Sequence, residues 1–229
     1  MKNFSIFAAA MIAFATFAAD TIAPQPVANP QPILQELQRK MSSLESVYFE
    51  LTQERHLKLF TEPLTSKGFM LIERPGQIRW ETTSPYQSIL LGNQKSVAQF
   101  EFAGGKWEKL KLGFPQMLQR VMEQMSLMNQ GKLDALTGDY TISVATNSET
   151  ILTLVPRDEN ARAVLSSVEV KMAPDFSATR EVVMHEPNGD FTRIVFNREK
   201  RNVKFPAGTF DQTKPLDIAA VKAAVDHAP

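Results

Sequence analysis

The sequence contains no cysteine. Disulfides and thiolate chemistry are therefore excluded, and no N-terminal cysteine can carry a lipid, so we expect that the protein is not itself a lipoprotein. A net charge is lacking as well, because 25 Lys and Arg residues balance 25 Asp and Glu residues. Without a basic field, the chain is not expected to hold nucleic acid or an anionic membrane surface.

Motifs for catalysis and metal binding are also missing. There is no G-x-S-x-G elbow and no phosphate-binding loop. Glu73, Glu81 and Glu186 are scattered over strand-like segments, where a solvated strand face is a commoner role than an acid–base pair. We therefore predict no enzyme, no cofactor and no metal. The histidines lack metal-ligand spacing; they are His56, His185 and His227.

The single long apolar run lies at the N-terminus, in residues 4–19 behind Lys2. It ends in small residues and is shorter than the roughly 20 apolar residues that span a bilayer, so residues 1–19 are typical of a secretory signal peptide. Cleavage is expected after Ala18 or Ala19. Residues 20–32 are proline-rich without periodicity, which predicts a flexible leader outside the core.

The most informative stretch is residues 66–85, SKGFMLIERPGQIRWETTSP. Its alternation of apolar positions predicts two strands, and Pro75 with Gly76 predicts the turn that joins them. Arg74 is the one cation where the chain turns. The residues predicted to share one apolar face are Met70, Ile72, Ile78 and Trp80.

Period-two patterns continue before and after this hairpin, and they predict about eleven strands in all. Phe49 and Leu51 lie on the inner face of the first strand, 47–59. Asn188–Gly189 is predicted to form a type I′ turn, and Gly92–Asn93 and Gly104–Gly105 are further hairpin signals. The strands beyond the hairpin are predicted at 86–91, 95–103, 106–112, 140–145, 150–155, 164–173, 179–186 and 190–197.

Helical spacing appears at three places. Asn29–Pro30 predicts the start of a first helix that runs to about Leu44. A second helix interrupts the strands at 115–130, with one further turn at 133–136, and a short helix is predicted near the C-terminus. The apolar face of the second helix is rich in methionine; its residues are Met117, Leu118, Val121, Met122, Met125 and Met128.

These elements predict a mainly β fold, in which one large antiparallel sheet curls into an incomplete barrel with a helix across its concave side. We predict a half-barrel domain at 33–212 and a tail or short helix at 213–229. Because methionine adapts to varied apolar partners, the second helix is interpreted as a lid over a ligand cavity. An ordinary core helix is the alternative.

Arg74 is predicted to fasten that lid. From the end of an apolar strand, its guanidinium can donate to backbone carbonyls at the end of the helix, around 124–131. The alternative is a solvated arginine in an exposed turn.

The stretch at 66–85, together with Phe49-Glu50-Leu51-Thr52-Gln53 upstream, resembles the LolA-type lipoprotein carriers of the Gram-negative periplasm. The resemblance implies an incomplete barrel of about eleven strands, Arg74 as the lid latch, and Ile78 and Trp80 in a lipid cavity. It also implies a periplasmic carrier of lipoprotein acyl chains, with an inner-membrane donor and an outer-membrane acceptor, and we expect a monomer.

Three alternatives stay open at this point. The wider superfamily includes carriers for other lipids that are exported by a neighbouring transporter. It also includes envelope sensors or adaptors that regulate a protein partner. A periplasmic hydrolase whose residues assemble only in the fold is the third alternative.

Overall fold

The computed structural model describes residues 25–226 apart from Phe114 and Ser148, and it describes Met117 and Asn129 by their backbone alone. The predicted signal peptide and leader residues 20–24 lie outside the described residues.

One antiparallel sheet of twelve strands forms the body of the described chain. The strands are β1 (Gln25–Pro26), β2 (Ser46–His56), β3 (Leu64–Glu73), β4 (Gln77–Ser84), β5 (Ser88–Gly92), β6 (Val97–Ala103), β7 (Lys106–Lys109), β8 (Tyr140–Thr146), β9 (Thr150–Pro156), β10 (Ser167–Met172), β11 (Thr179–His185) and β12 (Phe191–Arg201). Their order in the sheet is β1-β8-β9-β10-β11-β12-β2-β3-β4-β5-β6-β7. Because β1 and β7 do not pair with each other, the sheet stays open, which confirms the predicted mainly β, incomplete barrel.

The twelfth strand comes from the leader. Residues 20–32 are predicted to lie outside the core, yet Gln25 and Pro26 pair with the end of β8, and the Val27 N–H donates to Val144 O at 2.9 Å. Proline is tolerated here because β1 is an edge strand, where one side needs no N–H donor. The leader therefore supplies one edge strand of the sheet.

The hairpin turns at Gly104–Gly105 and Asn188–Gly189 have different backbone conformations. Gly104 and Gly105 both have positive φ, 58° and 81°, as a type I′ turn requires. The type I′ prediction for Asn188–Gly189 is wrong, because only Gly189 has a positive φ. The Gly189 N–H donates to Glu186 O at 3.0 Å and the Glu186 N–H to Asp190 O at 2.9 Å, so a three-residue loop with a glycine bulge joins β11 to β12.

Helices cover both faces of the sheet. The helix α1 (Gln31–Ser42) begins one residue later than the sequence predicts. The four-residue α4 (Glu159–Arg162) was not predicted; Asp158 caps it by accepting from the Ala161 N–H at 2.8 Å. Leu34 and Leu37 of α1 pack on the concave face with Leu133 and Leu136. The helices are α1 (Gln31–Ser42), α2 (Pro115–Asn129), α3 (Leu133–Leu136), α4 (Glu159–Arg162) and α5 (Ile218–Asp226).

The convex face is covered by the C-terminal segment, residues 203–226. Phe69 and Leu71 of β3 are buried there against Val221 and Val225 of α5. The predicted boundary at residue 212 therefore does not separate a tail from the domain, since residues on both sides of it belong to one apolar core.

A buried ion pair fastens this segment. Arg79 and Glu81, neighbours on the convex side of β4, have side chains that are 0% and 4% exposed, so the interpretation of Glu81 as part of a solvated face is wrong. Arg79 Nε and Nη2 donate to Glu81 Oε2 at 2.9 and 2.6 Å. Arg79 also donates to the Thr209 and Leu216 carbonyls at 3.0 and 2.8 Å, which ties β4 to the C-terminal segment.

Removing one partner of this pair should destabilise the protein strongly. Arg79→Met leaves the Glu81 carboxylate buried without its cation, which costs about 3–5 kcal/mol in comparable sites. Chemical denaturation followed by circular dichroism measures the loss.

The matched control is Lys106→Met, because the Lys106–Glu108 pair on β7 is exposed and such pairs contribute little. The double variant Arg79→Met, Glu81→Leu should recover much of the stability. Equal stabilities for Arg79→Met and Lys106→Met would show that the buried pair does not hold the segment.

Candidate functional site

The hairpin of β3 and β4 supplies one wall of the concave side. Phe49 of β2 pairs with Met70, and Met70 pairs in turn with Trp80. Ile72 stands opposite Ile78. Because directly paired residues point to the same face of a sheet, these side chains form one continuous apolar surface.

The helix α2 lies over this wall and is seated against the backbone of β5. A Cβ atom built at Gly92 would lie only 2.9 Å from Met122 Cγ, so glycine is what lets the helix approach. Gln119 Nε2 donates to Asn93 O at 2.7 Å, and Gln130 Nε2 donates to Pro75 O at 3.1 Å. Two amide side chains thus fasten the helix to turns of the sheet.

Between the lid helices and the sheet lies a cavity of about 270 Å³. Its walls come from both halves of the sheet, and nearly all of its surface is apolar. The residues that line it are Met41, Phe49, Met70, Ile72, Trp80, Val121, Gln124, Met125, Met128, Leu136, Tyr140, Leu154, Leu165, Val168, Val170, Thr179, Val182, Met184, Ile194 and Phe196.

Only some of the residues that the sequence predicts for the cavity line it. Leu51, Ile78 and Met122 are buried in the adjoining apolar core, and half-buried Leu118 is not among the lining residues. The side chain of Met117 lies outside what the structure describes. Those that line the cavity are Phe49, Met70, Ile72, Trp80, Val121, Met125 and Met128.

The sequence reasoning missed the opposite wall, which β9 to β12 provide. Val170 of β10 pairs with Val182 of β11, and Val182 pairs with Ile194 of β12. Their alternation is visible in the sequence, but the face they share depends on β12 returning beside β2. Met41 of α1 also lines the cavity and was not predicted to do so.

Arg74 lies where both lid helices end. Its Nη2 donates to Met41 O, in the last turn of α1, and to Gln130 O, just after α2, each at 3.4 Å. Both distances are long for such bonds. The Gln130 carbonyl falls within the predicted range, whereas the contact with α1 was not foreseen. A cation here also complements the negative ends of two helix dipoles.

One hydrogen-bonded pair interrupts the apolar lining. The Tyr140 hydroxyl, at the start of β8, donates to Gln124 Oε1 on α2 at 2.7 Å. Burial raises the pKa of Tyr140, and the nearby Asp139 carboxylate raises it further, so the phenol stays a neutral donor. Gln124 Nε2 reaches Asp139 Oδ2 at 3.5 Å, the limit of a hydrogen bond.

The described part of the chain has no group of three or more His, Asp or Glu side chains that could hold a metal ion. What the site offers is a largely apolar cavity under a helix that a few polar contacts hold in place.

The family model described as "Outer membrane lipoprotein carrier protein LolA" matches residues 42–213, about three quarters of the chain. The chain belongs to the LolA family. This confirms the resemblance noted in the sequence. The family match begins where α1 ends and stops before α5.

Individual relatives are distant. An outer-membrane lipoprotein carrier protein of Bordetella avium is 25% identical over 169 residues, covering 71% of this chain and 73% of that protein. One from Pseudoalteromonas translucida is 21% identical over 191 residues, with 80% and 84% covered. Among solved structures, a LolA superfamily protein of Nitrosomonas europaea has a TM-score of 0.42 at 11% identity, covering 82% and 99%. MucB has a TM-score of 0.45 at 12% identity, covering 81% and 63%.

The close packing of α2 against β5 can be tested at Gly92. Gly92→Ala places a methyl group against Met122, so the lid should sit less closely and the protein should lose about 1–3 kcal/mol of stability, as overpacked sites do. Binding of an apolar dye such as anilinonaphthalene sulfonate should rise in parallel.

Gly138→Ala is the matched control, because a Cβ atom there meets nothing within 4 Å. If the two variants behaved alike in denaturation and dye binding, α2 would not depend on close approach at Gly92.

Proposed function

We propose that this member of the LolA family is a periplasmic carrier. It binds acyl chains of lipoproteins, or of a related lipid, under the α2 lid and passes them towards the outer membrane. The observation that carries the proposal is the lidded cavity of about 270 Å³ with an almost wholly apolar lining. The LolA match over residues 42–213 supports the same conclusion.

The energetics suit a carrier that loads and unloads. Burying a methylene gains about 0.8 kcal/mol, so a palmitoyl-length chain gains on the order of 10 kcal/mol. The neutral hydrogen bonds of Gln119, Gln124 and Gln130 are each worth about 0.5–1.5 kcal/mol. Cargo therefore outweighs the contacts that close the lid, while those contacts still favour closure once the cargo has left.

On this proposal the lid moves to admit a whole acyl chain. An apolar cavity of about 150 Å³ is enough for benzene, and pockets for larger ligands span roughly 300–1,000 Å³. The cavity here admits part of an acyl chain. The remainder requires displacement of α2, whose Val121, Met125 and Met128 line the same space.

The proposed carrier works without catalysis or a cofactor, as a monomer between an inner-membrane donor and an outer-membrane acceptor. None of the described helices is long and apolar enough to cross a membrane.

The direct test is to purify the protein from the periplasm and identify bound molecules by mass spectrometry of organic extracts. We expect acylated lipid or lipoprotein with the parent and much less with Met125→Glu, which places a carboxylate on the cavity wall. Glu123→Gln, on the exposed side of α2, is the control. A protein partner without lipid would instead favour a sensor or adaptor.

Arg74 is proposed as the latch of the closed state. Arg74→Leu removes the donor that reaches both helix ends but leaves the apolar walls intact, so uptake should be equal or better. Transfer to an acceptor should fall roughly tenfold, because closure no longer offsets the loss of cargo contacts. A two-step assay of uptake and transfer measures both.

Arg74→Lys should transfer at an intermediate rate, since an ammonium lacks the planar fork of donors. Arg39→Leu, exposed on α1, serves as the control. Parental transfer by Arg74→Leu would make Arg74 an ordinary turn arginine and not a latch.

A further inference from the structure

A cavity that only encloses hydrocarbon does not need the hydrogen-bonded pair of Tyr140 and Gln124 that lies inside this one. Tyr140 and Gln124 bond to each other across the space between sheet and lid, at 2.7 Å. Tyr140 is 9% exposed. An unpaired hydroxyl in such surroundings is costly, so its bond must be replaced whenever the lid moves.

The two members of the pair are anchored differently. Tyr140 begins β8, and its carbonyl accepts from Arg157 Nε at 3.2 Å, so its backbone is fixed to the sheet. Gln124 lies on α2 between Val121 and Met125 and moves with the lid. If cargo displaces α2 as proposed, Gln124 leaves with the helix, and the Tyr140 hydroxyl on the sheet needs a new acceptor.

We infer that the Tyr140 hydroxyl binds the carbonyl oxygen of an ester- or amide-linked acyl chain, replacing its bond to Gln124. This inference rests on the proposed function and deepens it, because it names the side chain that recognises the acyl carbonyl. Acyl esters and amides supply a carbonyl acceptor next to the hydrocarbon chain, whereas ethers and plain hydrocarbons supply no carbonyl. Tyr140 thus selects acylated molecules among apolar ones.

Gln124 competes with the cargo for the Tyr140 hydroxyl. In the closed state its side-chain oxygen occupies the place of the cargo carbonyl, so the lid and the cargo compete for one donor. The cavity can then close without leaving the hydroxyl unpaired. Loading exchanges one hydrogen bond for another of the same kind, and the selectivity arises because only an acyl carbonyl permits that exchange.

The test uses two lysophospholipids with the same head group and chain length. Palmitoyl-lysophosphatidylcholine carries an ester carbonyl, and its hexadecyl ether analogue lacks that carbonyl. Competition with a fluorescent fatty-acid probe gives both affinities. We expect the parent to bind the ester roughly three- to tenfold tighter than the ether, the range of one neutral hydrogen bond.

Two variants separate recognition from lid fastening. Tyr140→Phe should bring the ester-to-ether ratio to about one while ether binding persists. Gln124→Leu should tighten the binding of both ligands but keep the ratio, because only the competing acceptor is lost. Thermal melts check that both variants remain folded.

The possible failures are distinguishable. If the parent binds neither lysophospholipid nor the probe, the proposed carrier function fails. If both ligands bind equally, or if Tyr140→Phe keeps the preference for the ester, the carrier function stands and the inference about Tyr140 is overturned.

Discussion

Both faces of β3 are apolar over residues 69–72, and this constraint determines what must cover the sheet on each side. Met70 and Ile72 point to the concave side, and Phe69 and Leu71 point to the convex side. An antiparallel sheet usually leaves one face to water, but here each face needs its own cover. The lid helices α1 and α2 cover one face, and the C-terminal segment covers the other.

The segments that cover the two faces are held by different kinds of interaction. On the convex side, direct apolar packing is combined with the buried Arg79–Glu81 pair, whose disruption leaves an uncompensated charge. On the concave side, a cavity separates lid from sheet, and most of the fastening bonds are neutral amide contacts of Gln119, Gln124 and Gln130. The convex cover is thus held by a buried charge pair, whereas the concave cover is held mainly by neutral hydrogen bonds worth about 0.5–1.5 kcal/mol each.

Sequence reasoning succeeded where the information is local. Alternation placed Met70, Ile72 and Trp80 on one face, and helical spacing placed Val121 and Met125 on the lid. It failed where the answer depends on distant pairing. The far wall of the cavity exists because β12 returns beside β2, a contact that no local pattern encodes.

The convex face was misjudged for a related reason. Alternating charges in β4, Arg79 and Glu81, are typical of a solvated strand face, and nothing near them indicates that residues 203–226 fold back over them. The Arg79 guanidinium instead donates to backbone carbonyls some 130 residues away.

The prediction of a type I′ turn at Asn188–Gly189 failed for a local reason. Pro187 favours a type I turn, in which only the following glycine adopts a positive φ.

The turn at Arg74 and Pro75 is a common anchor for the ends of α1 and α2. The Pro75 carbonyl accepts from Gln94 Nε2 at 2.8 Å and from Gln130 Nε2 at 3.1 Å, and the Arg74 N–H donates to Glu45 O at 2.9 Å, just beyond α1. Arg74 Nη2 reaches the ends of both lid helices from the same place. Since α1 and α2 share this anchor, displacing one helix removes bonds that position the other. The helices are thus expected to open as one unit, because a cargo that lifts α2 also loosens α1 along the cavity edge at Met41.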